Sequence, residues 1–495
     1  MNSDMKPTHL TNLVLSVSLM ALLAGCAMNP VTGTPDMVLM TETQEIESGR
    51  EYDVTIRKHY GAYDNKDLQL YVDSVGQRLA KTSHRPDIKW TFTVLDTHNV
   101  NAFALPGGYV YITRGLMTYL SSEADLAAVL GHEIGHVTAR HGVRQHSKSL
   151  LTQVTMGTAV KGSPILDNIL GRSVMLSGAG AFLASYSRDH EIDADSLGAE
   201  YLSKSGYDPR AILNVLTVLK DQEIVERDRA TAEGRDPRVY HGVFASHPTA
   251  DDRLQEVVEG ARGKNALAKI GDQAKDRYLD MIDGMVFGDA EDEGVVRGQA
   301  FYHRDLDFAM TFPNEWRIEN TKLALLAFSK NQKAMLIFTG KSLTETESAK
   351  ERLKEEIKSK DMRQPKYFKV QGGEGYSAVT RAKTPWGYAD IRVTVVIVGK
   401  KAYIFRGFTK EGTDREAYDP AFIATAASIR KLTGADMRYA EPLRLRLLTA
   451  RDGENYDVLA KKSPIASYPA QVLRLINGQY PDGQPKPGQR LKIVD

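Results

Sequence analysis

The pentapeptide His-Glu-Ile-Gly-His at 132–136 lies in a stretch, 124–140, whose apolar residues recur at helical spacing. Residues four apart on a helix lie one turn above each other, so the imidazoles of His132 and His136 point in the same direction. Such a pair can bind one Zn²⁺, and Glu133 between them can reach a metal-bound water as a general base. The same pattern also occurs on unrelated helices, so a zinc site requires a third ligand elsewhere in the chain.

The residues directly after the pentapeptide do not supply that ligand. A longer version of the pattern has a glycine and, three residues later, a histidine as the third ligand. In this chain Ala139 stands at the glycine position and Gly142 at the histidine position, so the longer pattern is absent. His141 and His146 are close in sequence, yet their offsets place them on other faces of a continuous helix. We therefore expect both histidines to be structural or solvated.

A better candidate for the third ligand lies in the charged segment 186–195. A helix there would present the carboxylate of Glu191 to the metal. Asp195, four residues later, would fall on the same face and could orient His132 or His136 through a hydrogen bond. Taken alone, the segment is more typical of a solvated, charged helix face.

Four ordered motifs give this assignment its support. The pentapeptide is followed by Ser-Arg-x-x-Glu-x-x-Ala-Asp at 187–195. Asn-Ala-Phe-Ala-x-Pro-Gly-Gly at 101–108 precedes it, and Ser-His-Pro at 246–248 with Arg253 comes later. In this order the motifs resemble those of peptidase family M48, which consists of gluzincin-type zinc peptidases.

This resemblance implies a catalytic site with one Zn²⁺ per chain. Its ligands would be His132, His136 and Glu191, with water in the fourth position. Glu133 would be the general base. Asp195 would orient a ligand and donate a proton to the leaving amine.

The resemblance also implies residues that bind substrate or regulate the site. Asn101, Ala102 and Phe103 would line the cleft, where an extended substrate of any sequence could be held by strand addition. His247 would cap the open metal position or help to bind substrate, and the alternative is a histidine that only fixes the turn before a proline. Arg253 would bind a substrate carbonyl or the developing oxyanion, and the alternative is a surface salt bridge.

Length and composition limit the classes of function. A chain of 495 residues suggests two or three domains. A formal net charge of +1 and the lack of a basic run argue against nucleic acid as a partner. A single cysteine excludes internal disulfides and a cysteine-based zinc site.

The first residues read as a targeting segment. A signal peptide is expected at 1–25, and Leu-Ala-Gly-Cys at 23–26 resembles the lipobox of bacterial lipoproteins, in which the cysteine is acylated. Cys26 would then anchor the chain to a membrane by acyl chains, although an ordinary secretory signal is the alternative. Ala27, which is not aspartate, favours the periplasmic face of the outer membrane by analogy. Residues 26–42 would be a linker.

The predicted fold class is multidomain, beginning with a mainly α-helical zincin peptidase domain that has a small edge sheet (43–262). Its helices and strands are expected at 42–57, 68–81, 208–220, 90–94 and 109–112. The charged segment 222–244 would be a mobile loop over the cleft. Charges interrupt the apolar segment 150–185, which is not expected to cross a membrane.

Two further units are expected after a helical and acidic connector at 263–300. The first, at 301–435, would be an α+β domain on an antiparallel sheet, with Trp316 and Trp386 in its core. Its strands and helices are expected at 306–312, 323–329, 334–339, 388–398, 402–408, 344–360 and 414–432. The second, at 440–495, has a βααβ order and resembles a LysM-type peptidoglycan-binding module.

Together these features predict a zinc metalloendopeptidase on the periplasmic face of the outer membrane. The substrates that the resemblance implies are misfolded or unassembled envelope proteins, and the C-terminal unit would add peptidoglycan as a partner. A zinc-containing chaperone or assembly scaffold with little proteolysis is one alternative, and a wall-binding adaptor is another. The presence of Glu133 favours the enzyme, because a structural zinc site leaves no open position and needs no acid between its ligands.

Overall fold

The computed structural model describes residues 26–156, 186–233, 272–345, 347–357 and 361–495. The expected leader and most of the apolar segment 150–185 lie outside these residues. Across the described ranges, no helix combines the length and apolar character needed to cross a bilayer.

The first described residues, from Cys26 onward, form a β-hairpin. Strand β1 (Cys26–Met28) pairs antiparallel with β2 (Pro35–Met37), and the side-chain oxygen of Asn29 accepts the backbone N–H groups of residues 31 and 32 in the turn. Asp36 forms an ion pair of 2.8 Å with Arg144, far along the sequence. Turn hydrogen bonds and this ion pair thus order part of the segment 26–42, whose role as a linker stays a prediction.

Two capped helices frame the start of the peptidase domain, close to their predicted positions. Helix α1 (Glu42–Tyr60) begins with a capping box between Thr41 and Gln44, and α2 (Lys66–Ala80) begins at Asn65, whose side chain accepts the N–H of residue 68. Caps of this kind satisfy backbone donors that have no partner within the helix.

A three-stranded sheet lies beside these helices. Its strands are β3 (Thr91–Leu95), β4 (Ala102–Leu105) and β5 (Tyr109–Thr113), with β5 in the centre, parallel to β3 and antiparallel to β4. The segment 101–108, in which no strand was predicted, contributes the edge strand β4. Gly107, at φ 81°, turns the chain tightly there, and a Cβ would lie 2.7 Å from the Cα of Ile46.

The central helix follows a short helix α3 (Arg114–Met117). Helix α4 (Glu123–Thr138) is capped by Ser122, and all its residues except Ala124 are buried. The helix ends where predicted, but Arg140 adopts φ 58° and a new helix, α5 (His141–Met156), begins directly after it.

Helix α6 (Arg188–Lys204) packs along α4 through small residues. A Cβ at position 135 would lie 2.9 Å from the carbonyl oxygen of Ala194, so only glycine permits this approach. Helix α7 (Ala211–Ala232) closes the other side and is longer than predicted. The expected loop at 222–244 is therefore wrong for 222–232, where Gln222, Val225 and Glu226 face the interior and continue the helix; the rest of that segment lies outside the described residues.

The chain then enters and leaves a separate sheet domain. After α8 (Asp272–Ile282), β6 (Val286–Phe287) and a 3₁₀ turn (Glu291–Glu293), a small sheet of three strands forms. These strands are β7 (Val295–Arg297), β8 (Ala300–His303) and β9 (Phe308–Thr311). A seven-stranded antiparallel sheet follows, in the order β10-β11-β12-β16-β15-β14-β13.

The seven strands confirm the predicted antiparallel α+β architecture. They are β10 (Arg317–Thr321), β11 (Ala324–Phe328), β12 (Ala334–Ser342), β13 (Arg363–Val370), β14 (Gly373–Thr384), β15 (Gly387–Val398) and β16 (Lys401–Thr409). Helices α9 (Ala349–Ile357) and α10 (Asp419–Ala427) cover it, so both faces carry an apolar core. Trp316 lies in the core with α10, and Trp386 packs partly buried against the core with α9. Strands β10, β13 and β14 were not predicted.

The last elements have the predicted βααβ order, namely β17 (Leu443–Thr449), α11 (Tyr456–Ala460), α12 (Pro469–Ile476) and β18 (Arg490–Val494). Strand β17 pairs with β18 on one side and with β6 on the other. Buried residues of this unit, such as Tyr456 and Leu491, belong to the same apolar core as α4. The buried Lys492 donates hydrogen bonds of 2.9 and 2.6 Å to the carbonyls of Thr118 and Leu120, just before α4. The unit is thus integrated into the peptidase domain, and the α+β domain is inserted between β6 and β17.

Candidate metal centre

Helices α4 and α6 bring three potential metal ligands together. The Nε2 atoms of His132 and His136 are 3.0 Å apart, and the carboxylate oxygens of Glu191 lie 3.7 and 3.5 Å from them. Tetrahedral zinc with bonds of about 2.0–2.1 Å separates its ligand atoms by about 3.3 Å. Within the part of the chain that the structure describes, this is the group of three found close enough to hold a metal ion.

The surroundings of this group fit a cation. Glu191 and His136 are buried, and His132 is nearly so. A carboxylate and two imidazoles in an apolar interior would be costly without a positive charge at their centre. Two histidines and a glutamate are also a donor set that catalytic zinc sites use, with the fourth position open. The residues present therefore fit Zn²⁺.

Asp195 holds the ring of His132 from behind. Its Oδ1 atom lies 2.8 Å from Nδ1 of His132, and the carboxylate is 2 % exposed. A proton on Nδ1 would donate to this carboxylate, which leaves the lone pair of Nε2 directed at the ligand group. Of the two orientations expected from the sequence, the structure thus places Asp195 against His132.

Glu133 lies one residue after His132, and its side chain is buried, with 2 % of the residue exposed.

Tyr186 packs against the ligand His136, since its ring stacks on that imidazole with centroids 4.0 Å apart. Burial, together with the nearby carboxylates of Glu133 and Glu191, raises the pKa of the Tyr186 hydroxyl well above its usual value. The tyrosine therefore stays neutral beside the ligand group.

A partly open pocket lies beside the ligand group. Apart from the polar residues His132, Glu133 and Asp195, its walls are apolar. They come from β4, α3, α4 and α7 and consist of Ala102, Leu116, Ala128, Val129, Ile212, Val215, Leu216 and Leu219. A peptide lying along β4 could place an apolar side chain in this cavity.

The predicted substrate-binding residues lie at different places. Ala102 lines the cavity, and the backbone of Asn101 pairs with Thr113 at the end of the sheet. Phe103 faces the opposite side of β4, where its ring stacks on Tyr111 with centroids 4.9 Å apart. Its side chain therefore belongs to the sheet packing, because neighbouring residues of a strand point to opposite faces. His247 and Arg253 lie outside the described residues.

His141 is a buried, structural histidine, but it does not lie on a helix face away from His136 as its sequence offset suggested. The prediction assumed one continuous helix, but the left-handed residue Arg140 separates α4 from α5. His141 is fully buried, and its Nδ1 atom lies 2.9 Å from Nδ1 of His136. A single sequence gives no clear signal that an arginine adopts the left-handed backbone conformation, because glycine and asparagine are the residues that usually adopt it.

The arrangement defines a class of protein. A helix with His-Glu-x-x-His, completed by a glutamate from a later helix, is the metal-binding scaffold of a zinc-dependent peptidase.

The chain belongs to peptidase family M48, whose family model matches residues 66–261. It is 30% identical over 188 residues to metalloprotease YcaL of Escherichia coli, which covers 37% of this chain and 68% of that relative. It is 29% identical over 233 residues to the beta-barrel assembly-enhancing protease of Yersinia pestis, covering 46% of each chain. It is 32% identical over 191 residues to the mitochondrial metalloendopeptidase OMA1 of Schizosaccharomyces pombe, covering 38% of this chain and 52% of the relative. The chain thus spans about half the length of the last two relatives, and the names of all three support the predicted enzyme class.

Proposed function

We propose that this chain is a zinc metalloendopeptidase with His132, His136 and Glu191 as the ligands of one Zn²⁺. The observation that carries the proposal is the convergence of these three donors, all within 4.8 Å of one another, beside an open cavity. Bound zinc would supply Lewis-acid polarisation of the scissile carbonyl and would acidify the attacking water.

The chain's own residues then perform the proton transfers and the positioning. Glu133, on the same helix as both histidines, accepts the proton of the attacking water as general base. Asp195 orients His132; its short contact with that ring favours this role over the alternative of proton donor to the leaving amine. The burial of both carboxylates keeps bulk water away from the reacting groups.

The substrate is proposed to be an unfolded chain held in extended form. Strand β4 lies at the edge of its sheet and borders the cavity, so a peptide could add to it by main-chain hydrogen bonds. Such binding suits misfolded or unassembled envelope proteins rich in β-strands. The name of the Yersinia pestis relative, a beta-barrel assembly-enhancing protease, agrees with this class.

We also propose that the protein acts at the periplasmic face of the outer membrane, anchored through Cys26. The support is the lipobox-like segment 23–26 and the absence of any other cysteine in the sequence. A Cys26→Ser variant should move to the soluble periplasmic fraction, and retention in the membrane would contradict the anchor. The LysM-like order of 443–494 supports peptidoglycan binding, which sedimentation of the mature protein with purified peptidoglycan would test.

The test of the enzyme is casein degradation by the mature protein, with and without a chelator. Glu133→Gln should abolish cleavage while zinc stays bound, because glutamine keeps the shape of the side chain but cannot accept the proton. Glu47→Gln, an exposed residue of α1, is the matched control and should cleave normally. A faster His247→Ala variant would support capping of the metal. If neither the wild type nor this variant cleaves although zinc is bound, the chaperone or scaffold function replaces this proposal.

A further inference from the structure

Each metal-binding histidine has a buried partner on its rear nitrogen, but the two partners differ. His132 contacts the carboxylate of Asp195 directly. His136 instead contacts another imidazole, with its Nδ1 atom 2.9 Å from Nδ1 of His141. The Nε2 atom of His141 in turn lies 3.2 Å from Oδ2 of Asp193.

The break between α4 and α5 creates this contact. Arg140 takes its left-handed conformation while its guanidinium bonds the buried Glu45 at 3.0 Å and the carbonyl of Met40 at 3.2 Å. The chain therefore turns back after α4 and presents His141 to the rear of His136. A fully buried polar ring in this position needs both of its nitrogens satisfied.

Aromatic packing fixes the plane of the His141 ring. The ring of His190 stacks on it with centroids 4.3 Å apart and planes 18° apart. Tyr186, which stacks on His136, lies 6.1 Å from the same ring. The direction of each His141 nitrogen is thus set by packing as well as by hydrogen bonds.

One arrangement of protons satisfies every contact when a metal is bound. His136 offers the lone pair of Nε2 to the metal, so its proton is on Nδ1 and donates to Nδ1 of His141. The proton of His141 is then on Nε2 and donates to the carboxylate of Asp193. A carboxylate thus stands behind each histidine, one directly and one through an intervening imidazole.

We propose that His141 and Asp193 are positioning residues that orient His136 for metal binding, as Asp195 orients His132. This inference rests on the zinc site of the proposed function. Helix α6 then supplies three carboxylates with separate tasks, since Glu191 binds the metal while Asp193 and Asp195 support one histidine each. Partners of this kind typically change metal affinity by about 10–100-fold when they are lost.

The experiment measures Zn²⁺ affinity of the mature protein by competition with a chromophoric chelator. His141→Phe keeps the ring and its stacking but removes the acceptor, whereas His141→Asn keeps an oxygen acceptor near the position of Nδ1. We expect affinity to fall by about 10–100-fold in the phenylalanine variant and to stay within about threefold in the asparagine variant. His146→Asn changes a histidine of the same helix that is not part of the proposed hydrogen-bond chain; it is the matched control and should bind as the wild type does.

A second readout and a second residue keep the test decisive. The absorption spectrum of the Co²⁺-loaded protein should change in His141→Phe, because Nδ1 of His136 loses the acceptor that orients its ring, and should be retained in His141→Asn. If His141→Phe does not fold, Asp193→Ala takes its place and should lower Zn²⁺ affinity by about 10-fold. Equal affinities of wild type and His141→Phe, or equal losses in the phenylalanine and asparagine variants, would overturn the inference.

These outcomes are distinct from a failure of the proposed function. A wild-type protein that binds no zinc would refute the metal site itself. A wild-type protein that binds zinc tightly, with all variants unchanged, would refute only the role of His141 and Asp193.

Discussion

The packing of α4 against α6 gives a quantitative test of how the metal site is held. Gly135 and Gly131 both lie on α4 and both face α6, but the backbone of α6 comes closer to Gly135 than to Gly131. A Cβ at 135 would lie 2.9 Å from the carbonyl oxygen of Ala194, whereas a Cβ at 131 would lie 3.4 Å from the carbonyl oxygen of Gly198, an ordinary contact. Alanine at these two positions is therefore a matched pair.

The expected magnitudes follow from this difference. Alanine is favoured over glycine in a helix interior by about 1 kcal/mol, a gain that both variants share. Gly135→Ala must also push the helices apart by about half an ångström, and such overpacking costs about 1–3 kcal/mol. The free energy of unfolding should thus be lower in Gly135→Ala than in Gly131→Ala by about 1–3 kcal/mol.

The same displacement should appear in metal binding. Glu191 lies on α6, one turn from Ala194, and ligand distances in a zinc site tolerate only about 0.2 Å. Zn²⁺ affinity should therefore fall by about 10-fold in Gly135→Ala and stay unchanged in Gly131→Ala. Urea unfolding of the metal-free proteins and chelator competition measure the two quantities. Equal stabilities and equal affinities of the two variants would refute the reasoning.

Three other predictions concern single residues. Asp195→Asn, which removes the charge behind His132, should weaken Zn²⁺ binding by about 10-fold in the same competition assay. Lys492→Met leaves two buried carbonyls without a donor, so urea unfolding at pH 8 should show a loss of about 2 kcal/mol, and an unchanged midpoint would contradict integration of the C-terminal unit. Burial and the nearby Asp292 raise the pKa of Glu293 to about 7, so its contribution to stability is complete below about pH 4.5 and is lost as the pH rises through 7. Glu293→Gln should therefore unfold at a higher temperature than the wild type at pH 8 and at the same temperature at pH 4.

The central part of the metal centre could be predicted because its chemistry is local. His132, Glu133 and His136 share one helix, and Glu191 lies on another helix whose spacing is also readable. The rear partner of His136 could not be predicted, since it depends on the backbone of Arg140. That conformation is stabilised by Glu45, which is distant in sequence.

The fold shows the same division between local and long-range information. The predicted bounds of most helices were close to the observed ones, because apolar spacing and capping residues depend only on neighbouring positions in the sequence. Strands β13 and β14 are among those missed, because lysine, arginine and glycine interrupt their alternation. All eight residues of β13 are exposed or half-exposed at the sheet edge. The C-terminal unit looked independent because its own pattern says nothing about the surface against which it packs.

The insertion between β6 and β17 also affects the order in which the protein folds. Residues 286 and 444 pair in one sheet, and Lys492 contacts residues 118 and 120, so the core of the peptidase is completed by contacts very distant in sequence. Closing such long loops is slow when the intervening chain is unfolded. A folded inserted domain brings its two ends together beforehand and shortens the search. A folding defect in the α+β domain would therefore delay maturation of a metal site to which it contributes no ligand.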